Sequence, residues 1–155
     1  MMTKIDPKDV QRLRGESGAG VMDSKRALED AGGDYEKALG LLKQRGLESV
    51  AKKSGREAKE GVIASYIHSG GRIGALVELA SETDFVSRGD DFQKLAQEIA
   101  MQVAAMNPAT VEELLEQPYI RDGSRKIKDL VTDVASTTKE NVHVRRIQRF
   151  ALGEF

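Results

Sequence analysis

The chain has 155 residues, a formal net charge of -1 at pH 7, 39% hydrophobic and 32% charged residues, and no cysteine. These values suit one domain of ordinary size or a small domain with an appendage. The lack of cysteine excludes disulfides and cysteine-ligated metals, and the net charge argues against non-specific affinity of the whole chain for nucleic acid. Because the chain starts with charged residues and no apolar run approaches the roughly 20 residues of a membrane span, we expect a cytoplasmic protein.

Three short helices are predicted for the first third of the chain, and they define an N-terminal domain over residues 1–46. The second helix is expected from about Val21 to Ala31, with Met22 among the residues that face its core. Asp34 is expected to begin the third helix and Gly46 to end it. The core of such a small bundle is thin.

Residues 47–60 differ in composition, with several basic side chains and few apolar ones. We interpret this segment as a helical or extended linker. Its Lys52 and Lys53 either are solvated or meet an acidic partner surface, and the composition does not decide between these alternatives.

Residues 61–155 predict an α+β core in which a three-stranded antiparallel sheet packs with helices. The predicted elements are strands at 61–68 and 72–80 joined by a Gly70-Gly71 turn, helices at 90–106, 110–116 and 123–137, and a final strand from 142. The apolar phase of the final strand slips between Val144 and Ile147, which indicates a bulge or burial of both faces. If this strand is an edge, it must be covered or paired, and dimerisation is one solution.

The patterns expected of an active site are missing from the sequence. Gly15 and Gly20 have the separation of a P-loop, but two apolar residues follow where Lys and Ser or Thr belong. His68 and His143 lie in different predicted strands, with no spacing that indicates a metal site. We therefore predict no enzyme activity, no metal and no cofactor.

The segment SETDFVSRG places Phe85 among hydroxyls, charges and glycine. One interpretation is that Phe85 folds back as a lid on the core, as most aromatic side chains do. The other is that a strand end and a tight turn present the ring to a partner, with the neighbouring Asp84 orienting it. The residues of this segment alone do not decide between the two interpretations.

Several ordered motifs carry a family resemblance. TDFV at 83–86, LRGESGAGVMDSKRALEDAGGDYEKAL near the start, GRIGALVELASETDFVSRGDDF and NVHVRRIQRF together cover nearly the whole chain. They resemble the elongation factor Ts family, guanine-nucleotide exchange factors that bind elongation factor Tu with GDP and promote GDP release during translation elongation.

The resemblance implies a fold and a set of site residues. The fold would be a ubiquitin-associated-like three-helix domain, a linker and an α+β core. The implied exchange residues are Thr83, Asp84, Phe85 and Val86, and the implied docking residues are Val21, Met22, Lys25 and Lys53. Two departures from the family pattern are Val21 in place of Met and Ser24 in place of the Cys of many members.

Long members of the family carry two versions of the core, whereas this chain has one. The resemblance therefore implies the short form, a homodimer that binds two molecules of the GTPase and does not itself bind nucleotide, nucleic acid or membrane. An alternative from another class is a ubiquitin-like or peptide-binding adaptor with a dimerising α+β module. GDP-release kinetics distinguish the two, because the adaptor has no effect on exchange.

Overall fold

A computed structural model describes residues 4–154 of the chain, which divide into two compact units with the boundary between Lys52 and Lys53. The predicted α+β class is confirmed: the first unit is helical, and the second combines helices with a three-stranded antiparallel sheet. Across the described residues, every helix is too short or too polar to cross a lipid bilayer.

The first unit contains helices α1 (Pro7–Ser17) and α2 (Val21–Asp30) and all but the last residue of α3 (Tyr35–Lys53). Asp6 begins α1 because its carboxylate accepts a hydrogen bond from the Lys8 amide, and Gly18 ends it in the left-handed conformation. The core consists of apolar side chains from all three helices: Leu13, Ala27, Leu28, Ala31, Ala38 and Leu42.

Two expectations for this unit are wrong. Met22 is 58% exposed, because at 3.6 residues per turn it lies on the side of α2 opposite the buried Ala27 and Leu28. Gly46 does not end the third helix, since α3 continues to Lys53. A glycine inside a helix costs about 1 kcal/mol relative to alanine, and the residues after Gly46 are mostly good helix formers. The helix therefore includes the first half of the predicted linker.

Over its described residues, 53–154, the second unit forms nine further elements in chain order: β1 (Glu60–Ile67), β2 (Ile73–Ser81), α4 (Asp84–Ser87), α5 (Asp90–Met106), α6 (Val111–Glu116), β3 (Pro118–Tyr119), β4 (Asp122–Lys126), α7 (Ile127–Thr138) and β5 (His143–Ala151). The main sheet has the order β1-β2-β5 with antiparallel pairing throughout. Both β1 and β5 are therefore edges of this sheet.

The alternation predicted for the hairpin is confirmed. Ala64, Ala75, Val77 and Leu79 are buried on the inner face, against the apolar stripe of α5. Gly70 and Gly71 adopt positive φ in the connecting turn, as a tight hairpin requires. The predicted bulge is also present, and the partners of Glu78 and Leu79 on β5 are separated by the unpaired Arg145.

A small two-stranded ribbon, β3 with β4, was not predicted. Its residues are mainly polar and show no alternation, and the helix expected from residue 123 begins only at Ile127. The fully buried Gln102 of α5 holds the ribbon: its side-chain amide donates to the Pro118 carbonyl oxygen at 3.1 Å, and its carbonyl oxygen accepts from the Ile120 amide at 3.1 Å.

Candidate functional site

The TDFV motif forms a corner between β2 and α5. Thr83 is the N-cap of the four-residue helix α4, with extended backbone and a hydroxyl that accepts a hydrogen bond from the Val86 amide. The hydroxyl of the fully buried Ser81 donates to the Thr83 carbonyl oxygen at 2.9 Å. The tight turn that the sequence suggests is therefore a short capped helix, Asp84–Ser87. We call residues 82–89, which contain this helix, the corner.

Phe85 projects from this corner and is 86% exposed, the highest exposure among the exposed large hydrophobic residues of the described chain. The interpretation of Phe85 as a lid on its own core is therefore wrong. Leaving such a ring in water forgoes about 1.5–3 kcal/mol of burial free energy. The ring is available to a partner that would recover that free energy on binding.

The inner side of the corner is fixed. Val86 and Ser87 are both buried, and the Ser87 hydroxyl donates to the Asp84 carbonyl oxygen at 3.1 Å. The Gln93 side-chain amide, from α5, donates to the Ser87 carbonyl oxygen at 2.6 Å. At Gly89 a Cβ atom would lie 3.2 Å from the Val86 carbonyl oxygen, which favours glycine there. The corner is thus a rigid mount for Phe85, and Val86 anchors it from inside.

Charged side chains flank the exposed ring. The Asp84 carboxylate and the Arg88 guanidinium, one helical turn apart, lie 3.4 Å from each other and are both largely in solvent. An exposed pair of this kind contributes little to stability. Its groups remain free to exchange partners, so Asp84 can turn to a donor on a bound protein.

A second exposed surface lies on the first unit. Val21 and Met22, in the first turn of α2, are 49% and 58% exposed. Lys25 follows one turn later on the same face, and its ammonium lies 3.9 Å from the Glu29 carboxylate. Val21 and Lys25 also line a shallow groove with residues of α1 such as Val10 and Arg14. We call Val21, Met22 and Lys25 the head surface.

Lys53, the fourth implied docking residue, is the last residue of α3 and is half-buried. Its backbone carbonyl oxygen accepts a hydrogen bond from the Arg56 amide at 2.9 Å, in the turn that leaves the helix. The backbone of Lys53 is therefore held at the C-terminal end of α3. Its neighbour Lys52 is exposed.

The two histidines lie far apart. His68 follows β1 at the hairpin turn, with its Nδ1 atom 3.1 Å from the Tyr66 hydroxyl. His143 pairs with Ala80 at the opposite end of the sheet. Partial burial and then the charge of Arg145 lower the pKa of His143. Within residues 4–154, no group of three or more His, Asp or Glu side chains is placed to hold a metal ion.

The outer face of the main sheet carries exposed apolar side chains: Ile63 and Ile67 on β1, Leu76 on β2 and Phe150 on β5. Gly74 pairs with both Ile67 and Phe150. A Cβ atom at Gly74 would lie 2.7 Å from the Ile67 Cδ1 atom, so the side chain of Ile67 extends over Gly74. We call these four apolar residues the open sheet face.

One further residue that contacts the corner is not indicated by the sequence. Glu140, which lies between the predicted last helix and the predicted last strand, accepts hydrogen bonds from the Glu82 and Thr83 amides of the corner. The two segments lie 57 residues apart along the chain, and no local pattern indicates that they meet.

Comparisons with known proteins agree on one family. The family described as Elongation factor TS matches residues 82–154. The chain is 41% identical to elongation factor Ts of Anaeromyxobacter dehalogenans over 198 aligned positions, which cover 99% of this chain and 90% of the relative. It is 42% identical to elongation factor Ts of Nitratidesulfovibrio vulgaris, with 96% and 97% covered. It is 41% identical to that of Synechococcus elongatus, with 99% and 90% covered.

Proposed function

Because the chain belongs to the elongation factor Ts family of translation elongation factors, we propose that it binds elongation factor Tu in its GDP-bound state and promotes GDP release. The observation that carries this proposal is the 86% exposure of Phe85 on a corner whose inner side is buried and hydrogen-bonded. A ring held in this way can enter another protein without rearrangement of its own unit.

In this proposal the corner disturbs the nucleotide site of the partner. Phe85 inserts between helices of the nucleotide-binding domain, near the Mg²⁺ and phosphate site, and Asp84 contributes a charge beside it. Thr83 and Val86 hold the two ends of the short helix, through the N-cap and through burial. Exchange breaks no covalent bond in the factor or in GDP, so we assign the chain no enzymatic activity and no cofactor.

The thermodynamics follow from linkage. If the bound factor weakens the affinity of the partner for GDP, GDP weakens the affinity for the factor by the same ratio, and incoming GTP then displaces the factor. Each 1.4 kcal/mol of this coupling changes an affinity about tenfold. Burial of one phenylalanine can weaken the affinity for GDP by about 10- to 100-fold. Docking contacts elsewhere on the chain supply the remaining coupling free energy.

We assign the docking role to the head surface and to Lys53. Val21 and Met22 offer exposed apolar side chains, which recover burial free energy on binding. Lys25 and Lys53 offer positive charge, which favours an acidic partner surface and fast association. The replacement of Met by Val at position 21 keeps an apolar contact there.

We also propose that two chains pair through the open sheet face. Ile67 and Phe150 lie side by side across Gly74, and with Ile63 and Leu76 they expose apolar side chains from all three strands. Contiguous exposed apolar surface of this kind marks interaction sites. A second copy covers it with an identical face, as two-fold symmetry requires. The resulting homodimer binds two molecules of the GTPase, in the cytoplasm where translation takes place.

Stopped-flow kinetics test the proposed function. Elongation factor Tu is loaded with a fluorescent GDP, and its release into excess unlabelled GDP is followed at increasing concentrations of the chain. We expect the release rate to rise and then saturate. A rate that stays at the value for elongation factor Tu alone contradicts the proposal and favours the adaptor alternative.

A further inference from the structure

The short connection between α7 and β5 carries Glu140. Lys139, just before it, ends α7 in the left-handed conformation with φ of 60°. Asn141 and Val142, just after it, are both buried. Glu140 is thus fixed on either side by ordered backbone, and its half-buried side chain reaches across to the corner.

The Glu140 carboxylate makes three hydrogen bonds to two consecutive residues of the corner. Its Oε1 atom accepts from the Glu82 amide at 3.1 Å and from the Thr83 amide at 3.0 Å. Its Oε2 atom accepts from the Thr83 hydroxyl at 2.7 Å. The β1–β2 pairing ends at Glu60 and Ser81, so Glu140 satisfies backbone donors that lie beyond the end of that ladder.

A reciprocal set of bonds strengthens this contact. The Glu82 carboxylate accepts from the Asn141 amide at 2.7 Å. The Asn141 side-chain amide donates to the Arg56 carbonyl oxygen at 2.7 Å and to the Ser54 carbonyl oxygen at 3.3 Å. We call Glu82, Glu140 and Asn141 the latch, because they join the corner, the α7–β5 connection and the segment after α3.

The Thr83 hydroxyl links the latch to the helix that carries Phe85. This hydroxyl donates to Glu140 and, through its oxygen, accepts from the Val86 amide at 3.4 Å. Because a hydroxyl has one proton, its bond to the carboxylate leaves a lone pair directed at α4. Glu140 therefore orients the N-cap of α4, and the N-cap sets where this four-residue helix begins.

We infer that Glu140 is a positioning residue for nucleotide exchange, since its three hydrogen bonds to Glu82 and Thr83 fix the direction in which the corner presents Phe85. This inference rests on the proposed function. Glu140 acts through Thr83 and not by contact with the bound nucleotide. Without it, the fold retains its core and its head surface, but the short helix loses its fixed start and the ring samples other directions.

The test uses two substitutions and one control in the full-length chain. Glu140→Ala removes all three bonds. Glu140→Gln keeps the side-chain length and one oxygen that can accept from the Glu82 and Thr83 amides. If Glu140→Ala does not fold, the Glu140→Gln variant still tests the inference. The control, Glu112→Ala, removes an exposed carboxylate in the first turn of α6, with the same change of net charge.

Two measurements are made on each variant. Hydrogen exchange of the Glu82 and Thr83 amides in the free chain is expected to accelerate strongly in Glu140→Ala, less in Glu140→Gln, and not at all in Glu112→Ala. Stopped-flow GDP release is expected to show a maximal rate about tenfold lower for Glu140→Ala, with an intermediate rate for Glu140→Gln. The concentration for half-maximal release should stay close to that of the wild type.

The outcomes separate the two proposals. If the wild-type chain accelerates GDP release and Glu140→Ala reaches the same maximal rate, Glu140 has no positioning role. Unchanged amide exchange in both Glu140 variants also overturns the inference, because the corner is then held by other bonds. If the wild-type chain itself does not accelerate release, the proposed function fails, and the exchange role of Glu140 fails with it.

Discussion

Replacement of Phe85 by alanine tests the role of the corner directly. The ring is 86% exposed in the free chain, so its loss should change the free energy of unfolding by less than about 0.5 kcal/mol. In the proposed complex the same ring would be buried, and burial of a phenylalanine contributes about 1.5–3 kcal/mol. At about 1.4 kcal/mol per decade, the maximal rate of GDP release should fall by roughly 10- to 100-fold.

The assay is stopped-flow release of fluorescent GDP from elongation factor Tu at a saturating concentration of the chain. Binding of the chain to nucleotide-free elongation factor Tu is measured separately by calorimetry. Ile120→Ala is the control, because it removes an exposed apolar side chain from the turn between β3 and β4, whose backbone bonds to Gln102 of α5. We expect Ile120→Ala to match the wild type. Suppose that the Phe85→Ala variant is folded and binds elongation factor Tu. If it then promotes GDP release at the wild-type rate, the proposed role of the Phe85 ring in exchange is refuted.

Three further predictions concern other parts of the chain. Met22→Ala should raise the concentration for half-maximal GDP release several-fold and leave the maximal rate unchanged; a lower maximal rate would argue against a pure docking role. Phe150→Asp places a charge on the open sheet face and should halve the mass measured by light scattering, whereas an unchanged mass would exclude this face as the dimer contact. Ser24→Ala should stabilise the first unit by about 1 kcal/mol, because the fully buried Ser24 hydroxyl lacks a hydrogen-bond partner among the described residues; a lower thermal midpoint would contradict this.

Elements whose burial is periodic could be predicted from the sequence. The bounds of α5 agree with the prediction because its apolar stripe repeats at helical spacing and Asn107 stops it in the left-handed conformation. The hairpin follows from strict alternation and from the glycines of its turn. Even the bulge at Arg145 leaves a signal, because the phase of apolar residues slips there.

Features held by distant contacts could not be predicted. The β3–β4 ribbon has few apolar residues of its own, and it depends on Gln102 from α5. The exposed position of Phe85 follows from the burial of Val86 and Ser87 on the other side of α4, which no local pattern reveals. The bonds of Glu140 to the corner join residues that are remote in the chain.

At Gly46 a local sequence rule gives the wrong prediction. Glycine near the end of a helical pattern is typical of a helix end, yet α3 continues past it to Lys53. By contrast, Gly18 does end its helix, α1, in the left-handed conformation, at the point where the chain turns towards α2. A glycine ends a helix where the following residues must change direction, and after Gly46 they do not.

The central claim is that the ring at position 85 enters elongation factor Tu. A photo-crosslinking benzophenone amino acid is introduced at position 85, and at position 120 as the control, and each chain is irradiated with nucleotide-free elongation factor Tu. We expect a cross-link from position 85 to the nucleotide-binding domain and none from position 120. A probe at position 85 that reacts with its own chain alone, while the complex is intact, would contradict the account.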